Sequence, residues 1–316
     1  GYYRALDTDM SGKVVMMDFG LVYLTGGATY NFNQSTVIVT GSRTYDDAAR
    51  IEGLSPWNTK LYAHNSEWVS IAMNDDGEAQ GFRLGLEGRN YLVPDIQDSV
   101  LSGVAHIGTS YGPKYSWSTF YNWEADFFNI QNNTITHFRD SDVSAGVYTA
   151  DICMNSGIRN TTVMNNVVNN CAVGIQFERT AYSFYHSRSE WGADGAIIEG
   201  NTFHDTEYLD VWFYLNSYAD NVTVRNNEFT GSSAPGYNVY TQDRTTIGLV
   251  VDDNTFSNGQ EPIYMRGGLD WEITDNTIYG DGDASHIGIA TRNGYGIIDG
   301  NTLIDADGGI LVDQIT

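Results

Sequence analysis

The chain has 316 residues, with 16 basic and 40 acidic side chains and a formal net charge of -24. A balance of that kind repels nucleic acid and anionic lipid, which call for clustered Lys and Arg, and the sequence contains no apolar run of about eighteen residues that would insert in a membrane as a helix. A hydrophobic content of 41% is enough for a large core, so the acidity belongs to a folded protein and not to a disordered tail. The three lysines, Lys13, Lys60 and Lys114, all lie in the first 114 residues. Acidity with few lysines suits divalent cations or neutral sugars as partners, and it also serves plain solubility.

In chain order, residues 1–13 lack the basic start and apolar stretch of a signal peptide, so a secreted protein is expected here in mature or excised form. The stretch DTDMSGKVVMMD (7–18) sets Asp7, Asp9, Ser11 and Asp18 at positions 1, 3, 5 and 12, with Gly12 at position 6. This spacing is similar to an EF-hand-type loop, where oxygens converge on Ca2+ and glycine permits the sharp turn. The last position is Asp instead of Glu and no helices flank it, which leaves an acidic β-turn as the alternative. Strand-like runs follow at 14–17, 21–24, 36–40, 82–86 and 100–107. Residues 1–126 are read as irregular, loop-decorated coils, with a separate N-terminal β domain as the competing division. The segment 111–123 then offers Tyr115 and Trp117 as platforms for sugar rings, or as cover for the side of the fold.

From residue 127 one motif recurs: a short β-branched or aromatic stretch, an Asn-containing turn, then an apolar residue. It reads FFNIQNNTI, TTVMNNVV, AIIEGNTF, VTVRNNEF, LVVDDNTF, WEITDNTI and GIIDGNTL. The aligned residues are Asn133, Asn166, Asn201, Asn227, Asn254, Asn276 and Asn301, at spacings of 33, 35, 26, 27, 22 and 25. A coil of three short strands and three turns needs roughly 22–27 residues, so the longer intervals are a coil plus an insertion. Asn tolerates the left-handed backbone such a turn requires, and stacked copies are expected to form a ladder of amide hydrogen bonds. The apolar residue after it (Ile135, Phe203, Phe229, Phe256, Ile278, Leu303) is expected to point inward. Second strands such as VGIQF, LDVWFY, YNVYT and PIYM follow each motif. The connections are too short and too rich in Gly, Asn and Asp for the amphipathic helices of an α/β fold.

This pattern resembles the parallel β-helix repeat of the pectate-lyase-like and NosD-like superfamily. The resemblance covers residues 127–316 and implies an all-β, right-handed parallel β-helix, a solenoid of three strands per coil with loop insertions. Its last strand, GILVDQIT, carries no amphipathic cap, so the solenoid is expected to continue or to stack on another subunit.

The resemblance also implies that insertions wall a groove in which sugars bind. The insertion 178–194 offers Tyr185, His186, Arg188 and Glu190 as acid, base and carboxylate-neutralising groups, and Tyr182 and Trp191 as sugar-stacking rings. A solvated loop folded back on the coil is the alternative. Asp252 and Asp253 are similar to the acid pairs of β-helix hydrolases, but neighbours on a strand face opposite sides, and the Gly-His-Gly of those enzymes is missing. Cys153 and Cys171 are either a bridge, worth roughly 3 kcal/mol in the chain-entropy model, or two buried thiols. The expected function is that of an extracellular or cell-surface structural protein that self-associates by solenoid stacking. A polysaccharide-active enzyme or a carbohydrate-binding β-helix is the alternative, and Ca2+ is the one cofactor expected.

Overall fold

The computed structural model describes residues 8–18, 21–24, 27–40, 49–53, 59–73, 79–80, 82–84, 92–108, 129–136, 152–156, 161–170, 173–177, 195–206, 209–213, 220–230, 237–242, 246–257, 259–280, 283, 286–306 and 308–313. The same three-strand unit repeats along them. Each coil contributes one strand to each of three parallel sheets. Sheet A runs from Thr29–Asn31 to Tyr295–Asp299, sheet B from Val14–Met17 to Thr302–Ile304, and sheet C from Leu21–Leu24 to Ile310–Asp313. A small antiparallel hairpin, Ala72–Met73 with Ala79–Gln80, is the one departure among the described residues. The expected β-helix architecture is thus present, and the three sheets run without a break from the coils before residue 126 into those after it.

The turn from sheet A to sheet B sets the register. Among the described residues, a left-handed conformation recurs there at Gly12, Gln34, Asn65, Asp98, Asn132, Asn165, Gly200, Asn226, Asp253, Asp275 and Gly300, with φ between 50 and 67°. The left-handed position is therefore not the ladder asparagine, as the sequence suggests, but the residue before it. That residue reverses the chain and leaves the next side chain pointing into the corner between sheets.

There Asn133, Asn166, Asn201, Asn227, Asn254, Asn276 and Asn301 form a continuous ladder. Each Nδ2 donates to the Oδ1 of the next coil at 2.9–3.0 Å. The same Oδ1 accepts the backbone N–H of the preceding ladder residue. Serine occupies the corner in earlier coils: Ser99 N–H donates to Asn133 Oδ1 at 2.9 Å, and Ser66 N–H donates to Ser99 Oγ at 3.0 Å. The N-terminal coils thus share the register with a shorter side chain in place of asparagine.

Inside, the residues after the ladder stack coil on coil. Phe203, Phe229 and Phe256 lie nearly parallel, with ring centroids 5.1 and 4.8 Å apart, and Ile135, Val168 and Ile278 extend the row. All are buried, and each such side chain contributes on the order of 1.5–3 kcal/mol.

From Thr59–His64 onward sheets A and B are joined by two residues per coil, whereas the long connections enter and leave sheet C; the chain leaves sheet B at Thr136 and returns in sheet C at Ile152, then leaves sheet C at Phe177 and returns in sheet A at Ile197. Variable segments on a rigid scaffold are where binding groups concentrate.

Candidate functional site

The outer face of sheet C is aromatic. In adjacent coils Trp212, Tyr240 and Tyr264 stand in register, and Tyr237 lies beside Leu209 one row away. Tyr237 stacks on Tyr240 at 4.7 Å and on Tyr264 at 5.2 Å, while Tyr240 and Tyr264 are 5.4 Å apart. Two residues three apart on one strand would ordinarily face opposite sides. A β-bulge brings Tyr237 and Tyr240 together: the N–H groups of Asn238 and Val239 both donate to the carbonyl of Pro262, at 3.0 and 2.8 Å.

The same bulge turns polar groups inward. Asn238 and its neighbour Asp210, only 1% exposed, lie beneath the aromatic face. Asn238 Nδ2 donates to Asp210 Oδ2 at 2.5 Å, and Thr206 Oγ1 donates to Asp210 Oδ1. Burial pushes the Asp210 carboxyl up to about 7 against the pull of these two donors. Gly174, one coil earlier, has no room for a side chain, because a Cβ would meet the Asp210 carbonyl at 2.6 Å and the Phe203 ring at 2.8 Å.

Trp212 and Tyr264 are nearly covered and form the floor of this face, while Tyr237 and Tyr240 are half-buried and open to a ligand. The guanidinium of Arg292 sits over the Tyr264 ring, 5.7 Å from its centroid, and Asp313 lies 3.7 Å from the guanidinium. Burial, reinforced by Glu261 and the neighbouring phenols, pushes Tyr237 up to about 12, and burial raises Tyr264 in the same direction. Both phenols therefore stay protonated at neutral pH and act as hydrogen-bond donors and flat apolar plates, not as bases. Sheet A is different in kind. There Asp95 Oδ1 already accepts from Gln97 and Asn129 at 2.8 and 3.1 Å, with His64 Nε2 at 3.2 Å, so its polar groups satisfy one another.

The fold and this face invite comparison with known proteins. A family profile described as right handed beta helix region matches residues 213–316. Over almost its whole length the chain superposes on a solved β-helix, the surface protein and adhesin PfbA of Streptococcus pneumoniae, with a TM-score of 0.56, 12% identity, and coverage of 94% of this chain and 92% of that one. The chain is a right-handed parallel β-helix. This β-helix is also similar to the alginate lyase from Paenibacillus sp. str. FPU-7, at 13% identity, TM-score 0.45, and coverage of 96% and 100%. Endopolygalacturonase I from Stereum purpureum gives 11% identity, TM-score 0.42, and coverage of 98% and 97%. At 12% identity the likeness to the adhesin speaks for the fold alone. Among curated protein sequences none matches the β-helix.

The residues singled out in the sequence fall as follows. Tyr182, Tyr185, His186, Arg188, Glu190 and Trp191, together with Tyr115, Trp117, Cys171 and Asp7, lie outside the described residues, as does the side chain of Cys153. The segment 178–194 follows the strand Val173–Phe177, which pairs with Leu209–Phe213, the strand that carries Trp212. Asp9 and Ser11 share one turn, in which the Ser11 N–H donates to Asp9 Oδ1 at 3.0 Å and, with the Ser11 hydroxyl, holds the Asp9 carboxyl low. Asp18 is beyond the extended strand Val14–Met17 and accepts from Thr40 at 3.2 Å. The strand Val14–Met17 separates Asp18 from that turn, and no cluster of three metal-ligating side chains occurs among the described residues. Asp252 accepts from Thr274 at 2.6 Å on sheet A, while Asp253 occupies the left-handed turn, so the two do not converge. No helix among the described residues is long and apolar enough to cross a membrane.

The aromatic face itself was missed from sequence. YNVYT and PIYM read as ordinary strands, and the grouping of their tyrosines depends on a bulge that alternation does not reveal.

Proposed function

We propose that this β-helix is an extracellular or cell-surface protein that binds polysaccharide on the outer face of sheet C. The stacked and partly open pair Tyr237 and Tyr240, with Tyr264 behind them, carries the reading. Sugar rings present flat C–H faces that pack on aromatic plates, and the protonated phenols supply donors for hydroxyl groups. Arg292, held over Tyr264, adds a positive edge to an otherwise acidic protein. The likeness to a surface adhesin in fold agrees with a surface location. Binding is favoured over turnover on this face because Tyr237 and Tyr264 hold their protons too firmly to act as general bases.

Calorimetric titration against a panel of neutral and acidic polysaccharides tests this. Tyr240→Ala is expected to weaken binding about 5- to 30-fold, the range set by one or two kcal/mol, and Tyr240→Phe to retain most of it. Equal affinity of the Ala variant and the parent, or no binding across the panel, would remove the basis for the reading.

A further inference from the structure

We propose that the outer face of sheet B is a docking surface for a second copy of this chain. Two rows of side chains run along it in unbroken register from Val14 and Met16, through Val100 and Val167, to Tyr279 and Ile304. Those six are also half of the large apolar side chains most exposed in the described chain, Val14 at 72% and Met16 at 66% leading them. Threonine and serine fill most of the remaining positions. On a flat parallel sheet, β-branched side chains form a level, low-entropy surface suited to packing face to face with another sheet at about 10 Å.

Charge selects the occupant. A chain with a net charge of -24 repels its own copies over most orientations. The sheet B rows carry only Glu67, Glu228 and His204 as groups that charge near neutral pH. The outward rows of sheet A are more heavily charged, with Asp95, Glu199, Arg225, Asp252, Glu272 and Asp299 in two of them and Lys60 in a third. A copy of this protein thus meets less repulsion where sheet B faces sheet B than where sheet A does.

The size is sufficient as well. Eleven strands at about 4.8 Å spacing give a strip roughly 48 Å long, and about 10 Å of width buries on the order of 1,000 Å2 counting both copies, the lower bound for a specific interface. The pairing leaves sheet C uncovered on each copy and is independent of whether that face binds sugar.

The test is sedimentation velocity of the chain across a concentration series up to about 100 µM, beside the double variant Val100→Glu with Val167→Glu and the control Ile197→Glu on sheet A. Near-ultraviolet circular dichroism confirms that each is folded. The parent and the control are expected to sediment as dimers at the upper concentrations, and the sheet B variant as a monomer with a dissociation constant raised at least tenfold. A parent that stays monomeric throughout overturns the proposal. So does a dimer that the sheet B changes leave intact, which would place the contact at the ends of the solenoid or on another face.

Discussion

Asn227→Ala is expected to destabilise the protein by about 3–4 kcal/mol, far more than its one small side chain suggests. Asn227 Nδ2 donates to the Ile198 and Arg225 carbonyls at 3.0 and 2.9 Å and to Asn254 Oδ1 at 3.0 Å, and its Oδ1 accepts both the N–H and the Nδ2 of Asn201. Each net hydrogen bond is worth roughly 1 kcal/mol, and a buried donor left without an acceptor costs about 1–3 kcal/mol more. Alanine removes the donors and abandons the Asn201 N–H in a corner closed to water. Asn227→Ser is expected to lose only about half as much, because serine fills this corner in earlier coils, where Ser99 Oγ accepts the Ser66 N–H. Denaturant midpoints at constant slope give the size of the effect, and amide exchange at Asn201 gives its location. A loss below about 1 kcal/mol for alanine, or serine no better than alanine, would show that the ladder follows from the coil and does not hold it.

Asp210→Asn carries the second large effect, and its sign is opposite above pH 7. The folded carboxyl titrates at about 7 against an ordinary value of 3.8, chiefly because it is fully desolvated. Below about pH 4 the group is protonated in both states and costs nothing. As pH rises towards 7 the unfolded chain ionises there while the folded chain holds its proton, so stability falls. Above 7 the folded group is ionised too, and the full penalty is present. At about 1.36 kcal/mol per unit the span amounts to roughly 4 kcal/mol.

Asparagine is nearly isosteric and can accept from Asn238 while donating to Thr206. The variant is therefore expected to match the parent near pH 4 and to exceed it by a few kcal/mol at pH 8. Subtracting the two curves removes the contribution of the many other carboxylates. Parallel curves from pH 4 to 8 would mean that Asp210 is not the desolvated acid described here. Asn238, which donates to Asp210, lies between Tyr237 and Tyr240 on the strand that carries the proposed sugar face.

How much of this was legible beforehand follows from how each feature is encoded. Local, repeated chemistry could be read directly. The recurrence of Asn133 through Asn301, with an apolar residue two places on, predicts the coil, the ladder and the inward row, because the same backbone environment recurs in each coil and selects the same residue type. The left-handed position was placed one residue late, since both Asn132 and Asn133 fit such a turn by type and only the backbone shows which one reverses the chain. Ser66 and Ser99 do not stand out in the sequence because a hydroxyl can take the ladder position in place of the amide. The EF-hand-like spacing of Asp7, Asp9, Ser11 and Asp18 is of another kind: spacing brings oxygens together only on a curved loop, Val14–Met17 is an extended strand that pairs with Thr36–Val39, and Asp7 lies outside the described residues.

By itself, then, the sequence determined the solenoid, its coil length and its core, all of which depend on contacts between like positions of successive repeats. Only the tertiary structure decided which outer face matters. Sheet register set Trp212, Tyr240 and Tyr264 side by side, and a bulge at Asn238 added Tyr237 to them. The parallel alignment of eleven strands also gathered Val14, Val100 and Val167 into one strip with few charges. Such surfaces are made by residues tens of positions apart whose neighbours are fixed by the number of residues in each loop, and that quantity leaves no periodic trace in the chain.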